Sequence, residues 1–231
     1  MKRTVLIAIA ITVVAAAAAP LLPAATIVSW ETFGNSGNEP FVAPTNVETG
    51  LVGLNLERGP GLSAPSGTNS FNSSAWAWSG GVRQADDYVS FGFEVQAPFK
   101  VDDLSLLFGS RSSNAGPGPL GLFWSGDNFT DPLHTWTHVN ELWSNEDIDL
   151  AGLGTLEAGV YEFQIQSIAN QRASDPQNTI AGGGTMRIGD YFQSGQGFSL
   201  FRFEGTVTPE PGRAMLLAIG GLLFLARRRR A

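Results

Sequence analysis

The 231-residue sequence has no cysteine, so disulfide bonds and thiolate metal sites are excluded and any fold must be held by its core. It has only two histidines and no G-x-S-x-G, which leaves no nucleophile elbow of a serine hydrolase. Charge is sparse at 15%, whereas disordered chains are rich in charge and poor in aromatics. Against those absences stand 15 Phe, six Trp and three Tyr, enough large apolar surface to close a core. The 28 Gly and 13 Pro, without the period of collagen, indicate many turns between short elements. Basic residues are rare where nucleic acid would need them: positions 26–208 hold 7 of the 14, against 20 of the 21 acidic residues, a net charge of about −13. Such a body repels phosphate backbones, which argues against nucleic acid and leaves neutral sugars or cations as partners.

Several stretches alternate with period two. In 88–95, Val89, Phe91, Phe93 and Val95 share a face, and in 100–109 Leu104, Leu106 and Phe108 do. Tyr161, Phe163 and Ile165 alternate with Glu162, Gln164 and Gln166, and Phe201, Phe203, Gly205 and Val207 with Arg202, Glu204 and Thr206. These read as half-buried antiparallel strands. Further strands are predicted over 26–33, 50–56, 75–79, 120–125, 185–191 and 136–139. Turn formers fill 59–61, 63–69, 112–119 and 181–184, no amphipathic helix is visible, and no repeat of 40–50 residues suggests a propeller. The prediction is an all-β ectodomain over 26–207, an antiparallel two-sheet sandwich of jelly-roll-like form.

Both ends carry addresses. Met1-Lys2-Arg3, an apolar run from Val5 to Ala19 and a small-residue exit form a signal peptide over 1–25, cut after Ala25 by signal peptidase. Ala18 offers a second cut, and an uncleaved anchor is the alternative. At the other end, thirteen uncharged residues, Ala214–Ala226, precede Arg227, Arg228, Arg229 and Arg230. The arginines act as a membrane stop signal with the body left outside the cytoplasm. At ~1.5 Å per residue a transmembrane helix over 214–226 reaches about 20 Å, short of the ~30 Å hydrocarbon core, which implies a temporary anchor.

Pro209, Glu210 and Pro211 stand just before this span. In that order, Pro-Glu-Pro, short apolar span and arginine cluster, the tail 208–231 resembles the PEP-CTERM sorting signal of exported bacterial proteins. The resemblance implies an exosortase-type membrane enzyme that removes the tail near Pro-Glu-Pro, and a host that makes an exopolysaccharide or biofilm matrix. A second set of residues is similar to an uncharacterised exported β domain found ahead of such tails: Gly50-Leu51, Arg58-Gly59-Pro60-Gly61, Asp87 to Phe91, Leu104-Ser105-Leu106, Arg111 to Pro117 and Ser125 to Phe129. That likeness implies a fold and a location, with no catalytic residues to carry over.

Four constellations bear on chemistry. Gly116 to Gly121 matches G-x-G-x-x-G, but its two prolines remove amides that a phosphate needs and a strand follows instead of a helix, so it reads as a loop. His134 and His138 flank Trp136; on a strand they stand about 13 Å apart, too far for one ion, and a solvated edge or loop is expected. The pairs Asp86-Asp87 and Asp102-Asp103 point to opposite faces of their strands and form no dyad. Asp127 and Asp131, and Asp147 and Asp149 beside Glu146, are weak calcium candidates as loop carboxylates without EF-hand spacing.

Tryptophan is the remaining signal. Trp76 and Trp78, predicted on one strand face, and Trp124 are candidate carbohydrate contacts, because flat rings stack on the apolar faces of sugars. Burial in the core competes with that role. The reading is an exported, non-enzymatic cell-surface or matrix protein with no catalytic residues, no metal site and no cofactor. The alternative is a carbohydrate-binding module that recognises exopolysaccharide through exposed Trp, with or without calcium.

Overall fold

The computed structural model describes residues 25–139, 141–189, 192–193, 197–198 and 200–210. The predicted signal peptide up to residue 24, Pro211, the predicted span 214–226 and the cluster 227–230 lie outside them. Among the described residues no helix is long and apolar enough to cross a membrane.

The chain is all-β. Its strands are β1 (Ala25–Trp30), β2 (Phe41–Val42), β3 (Asn46–Val47), β4 (Leu51–Gly53), β5 (Leu56–Arg58), β6 (Ser70–Ser74), β7 (Trp78–Ser79), β8 (Val82–Arg83) and β9 (Tyr88–Val95). They continue with β10 (Phe99–Ser112), β11 (Pro119–Trp124), β12 (His134–Thr137), β13 (Ser144–Asp149), β14 (Gly159–Ser167), β15 (Thr185–Gly189), β16 (Phe192–Gln193), β17 (Gly197–Phe198) and β18 (Phe201–Pro209). Two antiparallel sheets pack as a sandwich. The first runs β3-β1-β18-β10-β15-β6 with β13 also on β10, and the second β12-β11-β14-β9-β5-β2 with β4 also on β9.

The alternation in β9 and β14 fixes which face is buried, since a slip by one residue would turn Phe91 and Phe163 to solvent. Phe91 and Phe93 from β9, Phe163 from β14, and Phe201 and Phe203 from β18 meet Trp30 between the sheets, all 1% exposed or less. Trp30 and Phe201 centroids lie 5.0 Å apart and Phe91 and Phe201 4.6 Å apart, edge to face. Each such pair adds about 0.5–1.5 kcal/mol beyond area burial. The Trp30 indole N–H donates to the Leu54 carbonyl at 2.9 Å, in the break between β4 and β5.

Strand β10 is a branch point. One edge pairs with β18 from Phe99 to Leu107 and then with β15 from Gly109 to Ser112, and the other edge takes β13 from Ser105 to Ser110.

Three predicted elements differ. The segment 75–79 is not one strand: Ala75 has φ 66°, which turns the chain, and only Trp78–Ser79 pair, with β8. Residues 144–149, read as an acidic loop, form β13, where backbone pairing to β10 decides the conformation over composition. The last strand, predicted to Val207, also runs longer, since β18 continues through Pro209, opposite Phe99, and the Glu210 amide donates to the Pro98 carbonyl at 2.6 Å.

Candidate functional site

The outward face of the second sheet is built by strands in strict register. Residues directly opposite one another form a row across it: Phe41, Glu57, Ser90, Gln164 and Phe123. The inward neighbours of these residues, such as Leu56, Val89, Phe163 and Ile165, are buried in the core. Two further outward side chains of β14, Glu162 and Gln166, flank Gln164 at the spacing of two that keeps residues on one face.

These three side chains form a directed chain. Gln166 Nε2 donates to Gln164 Oε1 at 2.6 Å, and Gln164 Nε2 donates to Glu162 Oε1 at 3.1 Å. Across the sheet Asn55 Nδ2 donates to Glu57 Oε1 at 2.9 Å. Between the two carboxylates lies an open groove of about 280 Å³ lined by Leu54, Asn55, Glu57, Ser90, Phe91 and Glu162. The face is electronegative: burial pushes the Tyr88 phenol above its ordinary value, and the charges of Glu162, Asp86 and Glu57 push it further. The hairpin β7–β8 leans over one side, with the Arg83 guanidinium 5.6 Å above the Phe123 ring and Trp78 Nε1 donating to Ser167 Oγ at 3.2 Å.

The tryptophans named from sequence are elsewhere. Trp76 is 1% exposed, its indole bonded to the Ser73 carbonyl, so it has no face to offer a sugar. Trp124 is half-buried and packs against the core, and Trp78 is half-buried under its bond to Ser167. An exposed ring on the same sheet is Phe41, 47% exposed and directly opposite Glu57. A two-residue strand bounded by Pro40 and Pro44 gave no alternation to mark it.

The calcium candidates do not converge. Asp127 accepts from the amides of Thr130 and Asp131 at 3.2 and 3.3 Å, which makes it a turn cap. Asp147 and Asp149 are exposed on β13, where Asp149 Oδ1 accepts from the Ala151 amide at 2.8 Å. Among the described residues no three His, Asp or Glu side chains gather as metal ligands.

His134 sits half-buried on β12, but His138 is 2% exposed and not on a solvated edge. The chain crosses there from β12 in the second sheet to β13 in the first, which carries the imidazole inside. Ser110 Oγ lies 2.9 Å from its Nε2 and Ser112 Oγ 2.8 Å from its Nδ1, both serines fully buried. Burial pushes the imidazole down to about 4, so it is neutral at pH 7. With its serines sealed in the core, this cluster locks the crossover and gives substrate no access.

Arg58 was named only within the Arg58-Gly59-Pro60-Gly61 motif, with no role assigned. It projects from the inner face of β5 to the first sheet, its guanidinium 3.7 Å above the Phe71 ring. Nε, Nη1 and Nη2 donate to the carbonyls of Asn72, Glu39 and Gly37 at 2.7, 2.6 and 2.7 Å. The fork ties the 37–39 loop and both sheets together, a geometry Lys cannot copy.

No protein-family model matches this chain, and no curated protein and no solved structure matches it either.

Proposed function

We propose that the protein is an exported, non-enzymatic component of the bacterial cell surface or extracellular matrix, associated with biofilm exopolysaccharide. In this reading signal peptidase removes residues 1–25, the span 214–226 holds the chain briefly with its ectodomain outside, and an exosortase-type enzyme trims it near Pro209-Glu210-Pro211. The observation that carries the reading is the placement of the two addresses on the body. Strands β1 and β18 are antiparallel neighbours, with Ala25 opposite Gly205, so the point where the leader joins and the point where the tail departs lie at one pole. That arrangement suits a body served by two membrane segments on one side of a bilayer. The chain also passes between the two sheets at nearly every step, and its first and last long strands are neighbours, which supports a jelly-roll-like description.

Intact-mass measurement of protein recovered from the cell exterior tests the proposal, because one number reads both processing sites. The expected mass lacks the leader and the arginine cluster. Recovery of the full-length chain from the cytosol as the main species refutes it.

A further inference from the structure

The groove on the outward face of the second sheet holds more polar organisation than packing requires. Glu57 and Glu162 each have Oε1 fixed by a neighbouring amide, from Asn55 and Gln164, and each keeps Oε2 without a hydrogen-bond partner among the described residues. The donor chain behind Glu162 starts at Gln166, a side chain only 2% exposed whose Oε1 has no partner. Ser90, Leu54 and Phe91 complete the lining, and Phe41 stands exposed on β2, directly opposite Glu57.

We propose that this groove binds one uncharged sugar unit of a polysaccharide, whose hydroxyls donate to Glu57 and Glu162 and whose C–H face lies on the Phe41 ring. The volume of about 280 Å³ lies near the lower end of small-molecule sites, about 300–1,000 Å³, and so suits a single ring instead of a long ligand. Two free carboxylate oxygens want O–H donors, which adjacent sugar hydroxyls supply. Acidic sugars are rejected by the same carboxylates and by Asp86 and Glu94 on the adjoining face. The fixed Oε1 atoms set the carboxylates before the ligand arrives, which lowers the ordering cost of binding. The site stands independently of export and tail processing, because binding is read on the purified chain.

The test presents the full chain, in a detergent without a sugar headgroup, to an array of neutral, amino and uronic-acid oligosaccharides. The best neutral glycan is then titrated by calorimetry against wild type, Glu162→Gln and Phe41→Ala. Neutral glycans are expected to bind in preference, and each variant to weaken binding about tenfold with an unchanged melting temperature. Glu162→Gln keeps an oxygen to accept from Gln164, so folding is preserved. Absence of neutral-glycan binding, preference for acidic glycans, loss of binding on calcium chelation, or wild-type affinity in both variants overturns the proposal.

Discussion

Acid should weaken this protein through one imidazole. In the native state His138 is buried and neutral, pushed from 6.5 to about 4 by burial. An unfolded chain restores the ordinary value, so between those limits the unfolded state binds more protons than the native one. The contribution of neutral His138 is therefore fully present above pH 6.5, is lost as pH falls towards 4, and is flat below that. Moving from about pH 7.5 to about pH 4.5 removes roughly 2–3 kcal/mol, a large part of a typical 5–15 kcal/mol stability. Both serines can rotate their hydroxyls to accept from a protonated ring, so the loss is a desolvation cost and not a broken hydrogen bond. Urea denaturation at several pH values, followed by tryptophan fluorescence, reads it directly. His138→Gln should be less stable at neutral pH yet nearly independent of pH across the window. A wild-type stability unchanged between pH 6.5 and 4.5, or an equal slope in His138→Gln, refutes the reasoning.

Two further outcomes follow from the inter-sheet contacts and the tail. Arg58→Lys reaches one carbonyl at a time where the fork reaches Gly37, Glu39 and Asn72; it should cost about 3 kcal/mol and lower the melting temperature by roughly 6–12 °C by differential scanning fluorimetry. A melting temperature within about a degree of wild type would show that the clamp is dispensable. Replacing Arg227, Arg228, Arg229 and Arg230 by neutral residues should leave the body folded but impair membrane retention and tail removal, read by fractionation and intact mass. Normal processing of that variant argues against the sorting role.

Strands with one apolar face were visible before any coordinates: β9 spans 88–95 as the alternation predicts, and β14 and β18 extend the predicted cores by a few residues. Strand β6 was invisible because SFNSS has one apolar residue, yet Ser70, Asn72 and Ser73 are buried. Their polarity is absorbed by contacts that local sequence cannot announce, such as Ser70 Oγ to the Gly67 carbonyl and Asn72 Nδ2 to the Ser66 carbonyl. The buried roles of His138 and Arg58 were missed for the same reason. Their partners lie 14 to 28 residues away in sequence, so neither spacing nor composition carries the contact. The outward groove was legible only as alternating polar positions in 161–166; which rows face each other depends on register across four strands. Of the three candidate tryptophans, Trp76 went inward, as the competing burial reading expects, while Trp78 and Trp124 are half-buried.

The seat of β18 between β1 and β10 sets a timetable for the nascent chain. The last described strand lies in the middle of the first sheet, so β1 and the first half of β10 have no shared neighbour until about residue 209 has emerged. Pairing at that sequence distance is slow. Closure of the first sheet therefore waits on the strand farthest from β1 along the chain.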